Sequence, residues 1–457
     1  MLSSATEIRA PISPVADADP RQDILHDTRP GPADSGVSRA RRSWKRAAIA
    51  ATLLLIAATV FALTAFDRTR WVPEQAPRPI APARAAIVPG VPTAGPHLVD
   101  YQKLDARLTR LVAANDMVGL AVAVVENGQI SFIKGYGVTE AGTDERVTTG
   151  TVFRWASLSK GVAGTLVAEL AREGKLSLAD PVSRWAPSLK LPNNGENIVT
   201  IADLLGQRTG IVHNAYDDKL EEGIDPHQIR TMLGKLDAYC KPATCHTYQN
   251  VAFDAASEIV ANATRRSYAD MVARKLLVPL GMTSASLTRA GLEASPSWAK
   301  PHVGRRTLKV ADAYYQVPAA GGMNSSIFDL GLWMQAQMGG EPRVLAPAVL
   351  ETAHRPQVTV ERRHARSRYD RDVTEQRYAM GWRDMKYAGH HIVGHRGAVS
   401  GYRSLIYFDP ALKAGVAVLW NSQSSKPLGV QNEVFDMFYK RPFEDWLELD
   451  KKEKQGR

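Results

Sequence analysis

Apolar residues along the chain recur at two spacings, and each spacing predicts an element. Between 101 and 114, Leu104, Leu108, Leu111 and Val112 fall three or four apart, the pattern of an amphipathic helix. Residues 119–125 are rich in strand formers. Asn127-Gly128 after them is a favoured hairpin turn, so a strand over 130–136 should return beside the first. Val162, Leu166, Val167 and Leu170 predict a helix over 161–172, stopped by Gly174. Toward the other end, 402–408 and 415–420 predict a second hairpin about Asp409-Pro410, and Val434, Phe435, Phe438 and Tyr439 mark a closing helix. Strands at both ends with helices between them predict an α+β fold, a central antiparallel sheet covered by terminal helices.

One apolar run differs in kind. Residues 47–66 carry no charge and no polar face, and 20 residues span about 30 Å as a helix, the thickness of a bilayer core. Arg39, Arg41, Arg42, Lys45 and Arg46 precede it, and such a cluster stays cytoplasmic, sending the rest of the chain outward. The reading is a single-pass anchor in a bacterial inner membrane with the bulk of the chain in the periplasm. A signal cleaved near Ala65, or twin-arginine export through Arg41-Arg42, is the alternative. Residues 1–46 then form a disordered cytoplasmic tail that ends in the basic cluster. Residues 67–97, with seven prolines from Asp67 to Pro96, form an extended linker. A single folded domain is expected over 98–445 and a charged tail over 446–457.

Composition changes this picture little: 457 residues, 44% hydrophobic and 23% charged, are ordinary for a globular protein. The formal charge of +10 owes five units to the cluster before residue 47. Arg362, Arg363, Arg366, Arg368 and Arg371 make a second basic stretch, either a solvated surface or a contact for anionic lipid or wall polymer. Aromatics do not interleave with these charges in a nucleic-acid pattern, so nucleic acid is rejected as a partner. Cys240 and Cys245 are the two cysteines, and in an exported domain such a pair is expected to oxidise and stiffen the loop before Tyr248. Two free thiols are the alternative. A zinc site lacks its fourth ligand, and His390 and His391 beside His395 lack the spacing of a metal motif.

The candidate chemistry begins at Ser157-Leu158-Ser159-Lys160. Three residues apart at a helix start, Ser157 and Lys160 share a face, so the amine can take the proton that makes the hydroxyl a nucleophile. An N-cap serine and a surface lysine are the plain alternatives. Tyr248-Gln249-Asn250 follows 91 positions after Ser157 (248 − 157), and His395-Arg396-Gly397 another 147 after Tyr248 (395 − 248). Asn250 can both donate to and accept from a substrate amide, and Gly397 leaves a strand edge open to substrate.

Ser-x-x-Lys, Tyr-x-Asn and His-x-Gly in this order resemble the active-site elements of the class C β-lactamase superfamily, which includes D-alanyl-D-alanine peptidases and carboxylesterases. Further segments are similar: Leu204 to Ile211, Pro279 to Thr283, Pro318 to Met323 with Ser326 to Asp329, and Tyr378 to Trp382. The resemblance covers about 100–442. It implies the central sheet, with a mostly helical insertion over about 175–310. It also implies that Ser157 forms an acyl-enzyme, Lys160 and Tyr248 serve as bases, and the N–H groups of Ser157 and Ala398 hold the oxyanion. His395 stands where typical class C enzymes have lysine. A histidine is only partly charged at neutral pH, so it would read a substrate carboxylate more weakly while helping Lys160 favour the Tyr248 phenolate. The expected function is hydrolysis of β-lactams or related amides and esters, without cofactor or metal. D-alanyl peptidase and esterase activities compete, as does a β-lactam sensor that acylates without turnover. Peptidoglycan is a candidate partner.

Overall fold

The computed structural model describes residues 88–361 and 367–450. The expected anchor at 47–66 and the tail before it lie outside these. Among the described residues no helix is long and apolar enough to cross a membrane.

Helix α1 (Tyr101–Val112) begins at Asp100, whose side chain accepts from the Lys103 amide, an N-cap worth about 1 kcal/mol. It buries Leu104, Leu108 and Leu111, as their spacing predicts. Strand β1 (Gly119–Glu126) turns through Asn127 and Gly128 into β2 (Gln129–Gly137). Both turn residues have positive φ, +52° and +75°, the combination for which Asn-Gly is selected. The sheet is completed by β3 (Val358–Thr359), β4 (Val373–Tyr378), β5 (Arg383–Tyr387), β6 (His390–Val399), β7 (Tyr402–Asp409) and β8 (Ala414–Trp420). Its order is β2-β1-β8-β7-β6-β5-β4-β3, every pair antiparallel, so the first and last hairpins meet at β1 and β8.

Alternation along the strands sends two residue sets to two cores. Leu120, Val122, Val124, Val416 and Val418 pack under α1 and the closing helix α4 (Leu428–Phe438). Arg107 of α1 reaches Glu433 of α4 with two buried hydrogen bonds of 2.5 and 2.6 Å, pinning the terminal helices together. Ala121, Ala123, Ala417 and Leu419 face the opposite side, against α2 (Ser159–Arg172), α3 (Ile327–Gln337) and the short helices between 201 and 293. The α+β architecture is as expected. Helix α2 is buried on every side from Ser159 to Leu170, rather than amphipathic.

Two expected boundaries move. The linker assigned to 67–97 already belongs to the fold by Gly90: the amides of Gly90 and Thr93 donate to Ile133 and Ser131 along the free edge of β2. The tail assigned to 446–457 starts later, because Trp446 and Leu447 are fully buried and the Trp446 indole donates to Asp436 at 2.7 Å. In both places a few residues cover surface that would otherwise stay wet. Arg368 and Arg371 pair with Glu448 and Glu444 of this C-terminal stretch, so part of the basic loop is neutralised within the fold.

Candidate active site

Ser157 sits in a one-turn 3₁₀ segment, Ala156–Leu158, between the short strand Val152–Arg154 and α2. The chain bends there because buried Ala156 takes a left-handed φ of +49°, strain of about 1 kcal/mol or more for a residue with a Cβ. Three hydrogen bonds hold the bend: the Trp155 amide to Met323 O (2.8 Å), Ser404 Oγ to Trp155 O (2.6 Å) and Ser159 Oγ to Ala156 O (2.7 Å). The outcome is a half-exposed Ser157 among buried neighbours. It does not cap α2, whose N-cap is Leu158.

Lys160 is fully buried one turn on. Its Nζ donates to Asn250 Oδ1 (2.6 Å) and to Ala320 O (3.0 Å), with Ser157 Oγ at 3.4 Å. An ammonium has three protons, so these three acceptors account for all of them. A neutral amine keeps two N–H groups and one lone pair. With two N–H groups taken by Asn250 and Ala320, the lone pair points at the serine hydroxyl. Such a group can remove the Ser157 proton and return it to a leaving group.

Tyr248 and Asn250 are presented by a loop locked from behind. Gln207, at φ +61°, accepts from the Gln249 amide (2.8 Å) and donates to Gln249 O (3.0 Å). The Gln249 side chain donates to Val212 O (2.6 Å) and accepts from the Ala215 amide (3.2 Å). Cys240 and Cys245 form a disulfide at the entry to this loop. The Tyr248 ring lies 4.7 Å from Lys160 Nζ and 6.2 Å, centre to centre, from the His395 ring. Asn250, read from sequence as a substrate contact, spends both ends of its amide inside the protein: Oδ1 on Lys160 and Nδ2 on Asp217 Oδ2 (2.6 Å).

His395 differs most from expectation. It is 1% exposed, and its neighbours define one neutral tautomer: Nδ1–H donates to Arg396 O (2.7 Å) and Nε2 accepts from the Tyr378 hydroxyl (3.0 Å). Burial, then the charges of Arg383 and Lys160, hold its pKa well below the ordinary histidine range. Both ring nitrogens thus face partners inside the protein rather than a substrate carboxylate. Arg396 points away, to Asp370 at 2.9 Å. His391 pairs with Asp384 and His390 stacks on Tyr439, so the three histidines serve three different places. No metal-ligand cluster occurs among the described residues.

Beyond Gly394, β6 has no partner on its β5 side, and this open edge, 395–399, meets the serine turn. Gly397 is required by that approach: a Cβ there would lie 2.3 Å from Trp155 O and 3.1 Å from Ser157 N. What comes close to the glycine is the nucleophile's own backbone. Ala398 next to it is exposed and opens on a cleft of about 470 Å³ shared with Glu221, Tyr314 and Arg403. Tyr248 opens on a second cleft, of about 890 Å³, with His213, His246 and Arg383.

Asp217, Gln207, Ala320, Tyr378 and Arg383 were not singled out from sequence. Gln207, Ala320 and Tyr378 lie inside the similar segments without being marked as site residues, and Asp217 and Arg383 carry no local signal. The site thus gathers Ser157, Lys160, Tyr248 and Asn250 within hydrogen-bonding or ring contact, and sets His395 behind them.

Known proteins resemble the chain in sequence and in fold. Protein flp of Staphylococcus aureus is 25% identical over 330 residues, covering 71% of this chain and 63% of that protein. Unguisins hydrolase ungD' of Aspergillus campestris is 27% identical over 325 residues, covering 67% of this chain and 59% of that protein. The chain thus spans less than two thirds of either relative's length. Among solved structures, the octameric penicillin-binding protein homologue from Pyrococcus abyssi aligns with a TM-score of 0.67 at 24% identity, over 75% of this chain and 78% of that one. A D-stereospecific amidohydrolase from Streptomyces aligns at 0.58 and 20%, over 75% of this chain and all of that one. These two likenesses concern the fold. The Beta-lactamase family profile matches residues 104–436, from inside α1 to inside α4, and so takes in the whole sheet and every site residue above: the chain belongs to the Beta-lactamase family.

Proposed function

We propose that this serine hydrolase acts through an acyl-enzyme on Ser157, with Lys160 as the base for acylation and Tyr248 as the proton carrier on the leaving-group side. The observation that carries the reading is the Lys160 amine, whose two fixed acceptors leave its third direction to Ser157 Oγ. Tyr248 lines the larger cleft, with the centre of its ring 4.7 Å from Lys160 Nζ. The backbone N–H groups of Ser157 and Ala398 are the proposed oxyanion donors. Asn250 is assigned to holding Lys160.

The substrate is proposed to be an amide or ester, strained or not, that carries a carboxylate. The cation of the third motif is missing because His395 is neutral. Arg383 offers another: it lines the Tyr248 cleft, and its side chain has no ion-pair partner among the described residues. The hydrolase name of the fungal relative supports turnover rather than a silent sensor. Turnover of a chromogenic cephalosporin, a D-Ala-D-Ala peptide and a short-chain neutral ester tests this, with Arg383→Ala alongside the parent. The two carboxylate substrates should lose about 10-fold in kcat/KM in the variant, and the ester little, as one partly desolvated charge pair is worth roughly 1.4 kcal/mol. Equal losses on all three would remove the charge-reading role.

For location, we propose the anchored, periplasm-facing arrangement, supported by the 47–66 run and its basic flank. A reporter fused after residue 97 should be active only outside the cytoplasm. Cytoplasmic activity would sink the topology.

A further inference from the structure

We infer that Asp217 is a positioning residue: by accepting from Asn250 Nδ2 it fixes which way that amide faces, and so reserves the Lys160 lone pair for Ser157. The inference rests on the acyl-enzyme reading above.

The two ends of an asparagine amide have nearly the same shape and opposite polarity, so only their partners decide the orientation. On one side stands Lys160 Nζ, 2.6 Å from Oδ1; on the other, Asp217 Oδ2, 2.6 Å from Nδ2. An ammonium alone would select this orientation. During acylation, however, the lysine must be neutral, and a neutral amine accepts as readily as it donates. A reversed Asn250 would then give an N–H to the Lys160 lone pair, and Ser157 would lose its base. An ionised Asp217 forbids the reversal, since Oδ1 of Asn250 would face a group that can only accept.

The chain builds this lock deliberately. Asp217 opens the five-residue helix Asp217–Glu221 directly after Tyr216, which is left-handed at φ +59°. The turn is tied to the Tyr248 loop by the Ala215 amide on Gln249 Oε1 and the Asn214 amide on Tyr248 O (2.8 Å). The second carboxylate oxygen, Oδ1, is buried without a partner among the described residues, so nothing competes with Asn250 for the carboxylate. The charged and titratable groups facing it are Lys160, Asp218 and Glu221, with Tyr314 across the groove donating to Glu221 at 3.0 Å. Burial, reinforced by Glu221 and Asp218 and opposed by Asn250 and Lys160, pushes its pKa up to about 6. Protonated, it can donate as well as accept, and the lock opens. The acylation rate should therefore fall as pH drops through about 6.

The test is the rate at which a fluorophosphonate labels Ser157 in the intact chain, from pH 5 to 9. It compares the parent with Asp217→Asn, Asn250→Asp and the double variant, with melting temperatures recorded for each. Asp217→Asn should slow labelling by about 10- to 100-fold, and the fall near pH 6 should vanish. Asn250→Asp should be at least as slow, with two carboxylates back to back. The double variant restores the polarity, its carboxylate accepting from both Lys160 and the amide at 217, and should recover to within about 5-fold of the parent. Asp217→Glu, which keeps a group that only accepts when ionised, should retain the acid limb and guards against a variant that does not fold. Asp217→Asn labelling at the parental rate, or a folded double variant no faster than the slower single, overturns the inference alone. A parent that does not label overturns the acyl-enzyme reading, and the inference with it.

Discussion

Ser157→Ala is expected to abolish hydrolysis and covalent labelling by fluorescent penicillin or fluorophosphonate, at least about a 10³-fold loss, while the protein melts close to the parent. The asymmetry follows from where the hydroxyl sits. It is only partly buried, and its hydrogen bond from Lys160, at 3.4 Å, is long, so removing it costs less than about 1 kcal/mol. Ser159 provides the contrast two residues on. Its buried hydroxyl donates to Ala156 O and accepts from the Met323 amide at 3.0 Å, so Ser159→Ala leaves the buried Met323 amide unpaired and removes one of the donors on Ala156 O. That variant should lose about 1–3 kcal/mol of stability. Urea unfolding midpoints and labelling of both variants separate the two serines. Label that persists in Ser157→Ala, or that maps to another serine, would refute the nucleophile assignment.

What the sequence disclosed depended on whether a residue's task was local. Helix α1, both hairpins, the closing helix and the α+β class follow from periodicity and turn chemistry, and Asn127-Gly128 adopts the two positive φ angles its composition demands. Strands β4 (VTEQRY) and β5 (RDMKY) escaped notice because they lie toward the sheet's polar edge, where alternation is weak. Ser157, Lys160, Tyr248 and Asn250 were found through motif spacing, and the fold draws them together. The partners of Asn250 and His395 lie far off in sequence, beyond the reach of either motif. Asp217, 33 positions before Asn250, takes up the amide end that substrate was to use, and Tyr378 takes up the histidine nitrogen. Burial, then Arg383, lowers the pKa of His395, and neither can be read from His-x-Gly.

Gly397→Ala should reduce the acylation rate by about 10²-fold or more and lower stability by about 1–3 kcal/mol. One methyl group suffices because of what it meets. A Cβ at 397 would lie 2.2 Å from Ser404 Oγ, 2.3 Å from Trp155 O and 3.1 Å from Ser157 N. The serine hydroxyl could turn aside, but only by giving up its 2.6 Å hydrogen bond to Trp155 O, one of the three that hold the strained bend at Ala156. The carbonyl cannot turn aside, because it is backbone that continues into the Ser157 turn. Relief must come from moving that turn away from β6 by about 1 Å, which carries Ser157 off the line of the Lys160 lone pair and pulls its N–H away from Ala398. Trimming the flexible neighbour should not help, so a Gly397→Ala/Ser404→Ala double variant is expected to acylate no faster than Gly397→Ala. Fluorophosphonate labelling rates and urea midpoints of the three variants decide it. If Gly397→Ala labels at the parental rate, the close approach of β6 to the serine turn does not set the geometry of the nucleophile. If the double variant recovers, the obstruction is the Ser404 hydroxyl and the backbone contact is immaterial.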